Sequence, residues 1–200
     1  TTARPPTLLH AVALDLHGYI LAFERGRPPQ QEIDSRSVLL LEGLDRDRIS
    51  RIRIAAGERR VSLRRDGEGF DETWTLEAPV EAPADSELVE DYIRNWEFAI
   101  PVRTLESPSA EDIAQFGLGS PKAEVSFEMG PSNVRVSLGS GTPVDGGGYV
   151  RVDDAEAVIV VGKDVVALFD ETAERFAIQN DAGMPLLDDL MDAGAADASP

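Results

Sequence analysis

From Ile49 onward the chain alternates apolar and polar residues with a period of two. In residues 49–57 (ISRIRIAAG), Ile52 and Ile54 share one side and Arg51 and Arg53 the other. That is the pattern of a strand with one buried face and one wet face. Residues 59–67 (RRVSLRRDG) repeat it, with Val61 and Leu63 inward and Arg60, Ser62 and Arg64 outward, and Ala56-Gly57-Glu58 supplies a hairpin turn between the runs. Residues 73–79 (TWTLEAP) place Trp74 and Leu76 on the buried side. These runs predict an antiparallel meander with one wet side.

At Asp85 the period changes. Leu88, Val89, Tyr92, Ile93 and Trp96 recur at helical spacing behind Asp85 as N-cap, and Pro101 ends the helix. A short strand is predicted at residues 102–106. A small helix follows, opened by Ser109 and Asp112 as a capping box, with Ile113 and Phe116 inward and Gly117 at its end. The strand pattern then returns. Val125 and Phe127 point inward in residues 123–130, and Val134, Val136 and Leu138 do so in residues 133–141. Gly146-Gly147-Gly148 turns the chain into residues 149–154. Residues 157–162 (AVIVVG) are apolar at consecutive positions, as expected of a strand covered on both faces. Asp164 is expected to cap a helix carrying Val165, Val166, Leu168, Phe169 and Phe176. Pro185 opens a last short helix with Leu186, Leu187, Leu190 and Met191, and residues 193–200 form a small, polar, disordered tail.

The predicted fold class is therefore α+β: two antiparallel strand meanders, within residues 49–76 and 123–161, each followed by a packing helix. The order reads as a pseudo-repeat of two similar halves, residues 49–118 and 119–192, within one α+β domain at 49–192. Residues 28–48 are expected to be a linker, since 28–37 (PPQQEIDSRS) are polar and aperiodic.

Residues 1–27 form an N-terminal apolar segment. Leu8 and Phe23 bound a stretch of sixteen residues, twelve of them apolar. A bilayer-crossing helix needs about 20 such residues. Asp15 near the centre costs about 2.5–3.5 kcal/mol on insertion, and His10 and His17 add to it. Two readings stand: a signal anchor, or a helix packed on the protein or lying on a membrane surface. No small-residue cleavage site follows, so an anchor is expected in preference to a removed signal peptide.

Length and composition narrow the classes. The 200 residues, 42% hydrophobic, suffice for one large domain or two small ones. Net charge is −18, unevenly spread: residues 1–65 hold 12 arginines and 8 acidic residues, the rest 7 basic against 29 acidic. So acidic a body repels phosphate backbones, and no nucleic-acid partner is expected. The absence of Cys excludes disulfides, thiol catalysis and cysteine-ligated metal.

Candidate chemistry is sparse. His10 and His17 lack the four-residue spacing of a helical zinc pair. Gly139-Ser140-Gly141-Thr142 follows a strand but leads to Pro143 and more strand, not to the helix N-terminus a phosphate loop needs. Asp153-Asp154 and Asp188-Asp189 lack calcium-loop spacing. No GxSxG elbow occurs, and the body has no His for a serine triad. No catalytic, cofactor-binding or metal residue is assigned, and the expectation is a protein that is not an enzyme and uses no cofactor.

Five blocks carry a resemblance: residues 18–27 (GYILAFERGR), 49–54 (ISRIRI), 74–85 (WTLEAPVEAPAD), 112–127 (DIAQFGLGSPKAEVSF) and 136–153 (VSLGSGTPVDGGGYVRVD). In them the chain resembles the bacterial domain of unknown function 4340 family over nearly its whole length. These motifs are turns and strand starts and name no active site. The resemblance implies a single-pass inner-membrane anchor through residues 8–23 with the body on the extracytoplasmic side. It also implies a place beside gliding-type ABC transport systems. Asp15 and the two histidines depart from the family's uninterrupted apolar helix. The expected function is thus a non-catalytic accessory or scaffold subunit in the cell envelope, with ABC transporter subunits as protein partners. The alternative is an envelope binding domain for a glycan, peptide or lipid. Its mark would be a pocket lined by Trp74, Tyr92, Trp96 or Tyr149, residues otherwise expected in the core.

Overall fold

The computed structural model describes residues 39–179 apart from 68, 70, 71 and 144. The apolar segment at 8–23, the helix expected from Pro185 and the tail lie outside the described residues. The body is α+β. Among the described residues nine strands join one antiparallel sheet, in the order β4-β3-β2-β1-β6-β7-β8-β9-β5. The strands are β1 (Arg51–Ala56), β2 (Arg59–Asp66), β3 (Thr73–Ala78), β4 (Ala82–Ala84), β5 (Arg103–Leu105), β6 (Ala123–Met129), β7 (Ser132–Gly141), β8 (Gly148–Val152) and β9 (Val158–Val161).

The two meanders share one sheet because β1 pairs with β6, placing Ile52 opposite Phe127 and Ile54 opposite Val125. From that seam β1 to β4 step outward to one edge and β6 to β9 toward the other, where β5 is added beyond β9. The apolar alternation locks the register. A slip of one residue at the seam would turn Ile52 and Ile54 to the arginine side.

Helix α1 (Ser86–Glu97) packs on the apolar face. The Asp85 carboxylate accepts from the Glu87 and Leu88 amides at 3.0 and 3.2 Å, the N-cap expected from sequence. Val89, Tyr92, Ile93 and Trp96 are buried, while Leu88 is half-buried at the border of the stripe. Trp96 meets Phe127 and Phe169 edge-on at 5.8 and 5.2 Å, and Tyr92 meets Phe176 at 5.4 Å. Such contacts add about 0.5–1.5 kcal/mol each beyond area burial.

The second helical region differs from expectation. Its N-cap is Gly162, not Asp164, because α3 (Lys163–Ala167) begins as soon as β9 ends. Asp164 falls inside the first turn, where its charge still suits the positive helix end. The expected single helix is also broken into α3, a 3-10 turn at Leu168–Asp170 and α4 (Ala173–Phe176). In an unbroken helix the Leu168 carbonyl would accept from residue 172. Here it accepts from the buried Tyr92 hydroxyl at 3.1 Å. Strand β4, absent from the sequence reading, buries Ala82 and Ala84, and Ala84 bridges to Ala177 just past α4.

Part of the expected linker belongs to the body. Leu40 and Leu41 are buried in the core, the Leu40 amide donates to the Ala99 carbonyl at 2.8 Å, and residues Arg46–Arg48 form a 3-10 turn. A polar run does predict a linker, but Leu39-Leu40-Leu41 lies beyond that run and finds apolar company.

On the opposite side of the sheet, α2 (Ala110–Gln115) covers the β7–β8 end. Ser109 and Asp112 form the predicted capping box. Gly117 ends the helix at φ +73°, a conformation that favours glycine. The Phe116 carbonyl accepts from the Ser140 amide at 2.7 Å, and the Phe116 ring stacks on Tyr149 at 4.2 Å. A side chain at Gly139 would collide with that carbonyl, so glycine is what lets the turn lie on the strand.

Candidate functional site

The outward positions of β3, β2, β1, β6 and β7 present Glu77, then Arg60, Ser62 and Arg64, then Arg51 and Arg53, then Glu124, Ser126 and Glu128, then Asn133 and Arg135. Strand alternation alone puts these residues on one face. Sheet order decides which of them touch.

Glu77 is the hub. Its carboxylate accepts from Arg51 Nε at 3.0 Å and a second Arg51 nitrogen at 3.1 Å, a bidentate pair, and from Arg64 Nε and the Ser62 hydroxyl at 2.9 Å each. Desolvation pushes the Glu77 pKa up. The hydrogen bonds from Arg51, Ser62 and Arg64 and the Arg51 charge outweigh it and hold the carboxyl below its ordinary value. The same contact with Glu77, against some desolvation, holds Arg51 above its ordinary pKa. Glu128 extends the network, accepting from Arg51 at 3.3 Å and from Arg53. Arg64 also pairs with Asp66. The guanidinium groups of β1 and β2 are thus held by a network that spans four strands, with Glu77 on β3 and Glu128 on β6.

Beside this network the small residues Ala55, Ser62 and Ser126 leave a hollow of about 310 Å³, bordered by Arg53, Arg60, Glu124, Asn133 and Arg135. Arg60 donates to its own turn, at the Gly57 and Arg59 carbonyls, and Glu124 accepts from Ser137 at 3.0 Å. A second, wider opening of about 810 Å³ runs along the β4 edge, between Trp74, Pro83, Ser86 and Ile178.

The four aromatics that would mark a ligand pocket are not gathered into one. Tyr92 and Trp96 are wholly buried. Trp74 is buried beneath the Arg65 guanidinium, 4.9 Å from its ring, and donates to Glu90 at 3.1 Å, though it borders the β4 groove. Tyr149 is half-buried under Phe116 on the far side of the sheet. Gly139, Ser140 and Gly141 lie in β7 with α2 against them, not before a helix N-terminus. Asp153 sits in the β8–β9 turn, its carboxylate accepting from the Arg135 amide at 2.8 Å. His10, His17, Asp15 and Asp188-Asp189 are outside the described residues. Among the described residues no group of three or more metal-binding side chains is assembled, and no helix is long and apolar enough to cross a membrane.

The Glu77 hub was not singled out from sequence. Glu77, Arg51 and Ser62 belong to three strands, and only pairing brings them together. The legible signal was the run of outward arginines at residues 51, 53, 60 and 64.

A family model described as Domain of unknown function (DUF4340) matches residues 74–180, from β3 to just beyond α4. Strands β1 and β2, with Arg51, Arg53, Arg60 and Arg64 of the wet face, precede the matched part, whereas Arg135 lies within it. No curated protein and no solved structure matches the chain.

Proposed function

The chain belongs to this family of domains of unknown function, and from that premise we propose that it is a non-catalytic accessory or scaffold subunit of a bacterial envelope complex. In this reading residues 8–23 anchor it in the inner membrane, the body stands on the extracytoplasmic side, and the partner is an ABC-type transport system. The body is read as two similar halves, residues 49–118 and 119–192, joined at the β1–β6 seam, with β5 of the first half crossing to the far edge beside β9.

The observation that carries the reading is the wet face of the sheet. It is broad, open over β2, β1 and β6, and rich in arginine on a chain whose net charge is −18. Arginine is favoured at protein interfaces, and side chains already held in place lose less entropy on docking. Glu77 and Glu128 do that holding. A partner surface bearing carboxylates fits this face.

The test is recovery of the full chain from membranes with its partners, compared with an Arg60→Glu/Arg135→Glu variant. Both side chains are exposed, so the fold should persist. Transporter subunits recovered with the parent and lost with the variant support the reading. The second reading, a domain binding a glycan, peptide or lipid, is favoured by the groove along β4 with Trp74 at its wall. Recovery of no protein but a tightly held small molecule would support it instead.

A further inference from the structure

Among the described residues four large hydrophobic side chains are exposed, and three fall within five positions: Phe98 at 64%, Ile100 at 55% and Val102 at 70%. They alternate with Ala99, which is buried, and Pro101. The three exposed apolar groups thus fall at every second position between the C-cap of α1 and the start of β5. Looseness does not account for this. The Phe98 amide donates to the Arg94 carbonyl at 3.1 Å, the Ala99 carbonyl accepts from Leu40, and the Val102 amide donates to Val160 at 2.8 Å. The chain is pinned at three points, and the apolar groups are held in water by it.

The place matters as much as the composition. Leu40, the second described residue, is bonded to Ala99 within this stretch. The described chain thus enters the body beside Ala99, between Phe98 and Ile100 in sequence. In the sequence flanking the patch, Arg94 and Arg103 stand against Glu97 and Glu106. The charges that flank it in sequence thus offer no single sign for a partner to recognise, and the apolar groups themselves are the feature on which a lipid layer could act.

We propose that Phe98, Ile100 and Val102 form the foot on which the body rests in the lipid interface, close to the root of its tether. The proposal rests on the reading of residues 8–23 as a membrane anchor and adds to it the face that the body turns to the bilayer. That would leave the body with a defined orientation on the membrane instead of free rotation about a tether.

The chain has no cysteine, so a single Val102→Cys substitution takes one environment-sensitive fluorophore. The control is Glu81→Cys, exposed in the approach to β4 at the opposite edge of the sheet. The full chain is mixed with phosphatidylcholine vesicles. A blue shift is expected at position 102 and none at 81, undiminished by high salt because insertion is apolar. Adding Phe98→Ser and Ile100→Ser to the Val102→Cys protein should abolish the shift while circular dichroism stays unchanged. If the chain floats with the vesicles but the probe at 102 stays in water, the foot is refuted and the anchor stands. If the chain does not float at all, the anchor reading has failed and the foot with it. A shift that needs no lipid and grows with protein concentration also overturns the proposal, because a second copy then covers the patch.

Discussion

Glu77 shows how one carboxylate can organise a sheet face. Its folded pKa lies below the ordinary value of 4.5, so the unfolded chain binds its proton more readily than the folded one. Its contribution is therefore complete above pH 4.5 and is lost as pH falls through the lower folded value. Glu77→Gln should cost about 1–2 kcal/mol at neutral pH, because charge-assisted bonds from two arginines become neutral ones. The gap between parent and variant should close on acidification. Urea unfolding across pH measures it, and a gap that persists well below the carboxylate range would show that charge is not the cause. Tyr92 tests the other side of the sheet. Its hydroxyl is buried, and burial pushes its pKa far up, so it stays a neutral donor to the Leu168 carbonyl. Tyr92→Phe should destabilise by about 1–2 kcal/mol by leaving that carbonyl unpaired, with no dependence on pH between mildly acid and mildly alkaline conditions. Neither role is visible from sequence, where Glu77 reads as an ordinary outward residue and Tyr92 as one apolar position among five.

Local chemistry made the elements easier to read. Asp85 and Ser109 were legible as helix N-caps because capping uses atoms two or three residues apart. Asp85→Ala should cost about 1 kcal/mol, seen as a lower unfolding midpoint with an unchanged denaturant slope. The misplaced cap at Asp164 has the same local origin. Asp is a good cap, but the cap position is set by where β9 ends, and that depends on β9 pairing with β8 and β5. Gly139 belongs to this scale as well. In sequence it is one glycine of a strand end. In the fold it is where the Phe116 turn rests. Gly139→Ala should destabilise by about 1–3 kcal/mol through overpacking against backbone. It should also disturb the Phe116–Tyr149 stack, which near-ultraviolet circular dichroism would register. An unchanged spectrum and stability would mean that α2 yields without cost.

For the whole molecule, the boundary of the body is the first thing that stability can test. Removing residues 1–27 should leave the unfolding temperature of the body nearly unchanged. Extending the deletion through Leu41 should lower stability by about 3 kcal/mol or more, since two buried leucines leave the core. Equal melting of the two shortened chains would return residues 39–41 to the linker.

Period-two and helical spacing, read along one chain, determined the α+β class, the turn at Gly57, the strands around Trp74 and Phe127 and the helix behind Asp85. They could do so because an apolar stripe must find a core whichever neighbour supplies it. The same spacing left open how the two meanders meet, because Ile52 and Ile54 would be buried equally well beside another strand. Pairing β1 with β6 decided that, and with it the single nine-stranded sheet. It also brought Arg51 between Glu77 and Glu128, residues 26 and 77 positions away. Exposure was decided last. Phe98, Ile100 and Val102 are as apolar as any core triplet, yet they stand exposed on a stretch bonded to Arg94, Leu40 and Val160. Local pattern specifies which residues want burial. Long-range pairing, which no short window of sequence contains, specifies which of them obtain it.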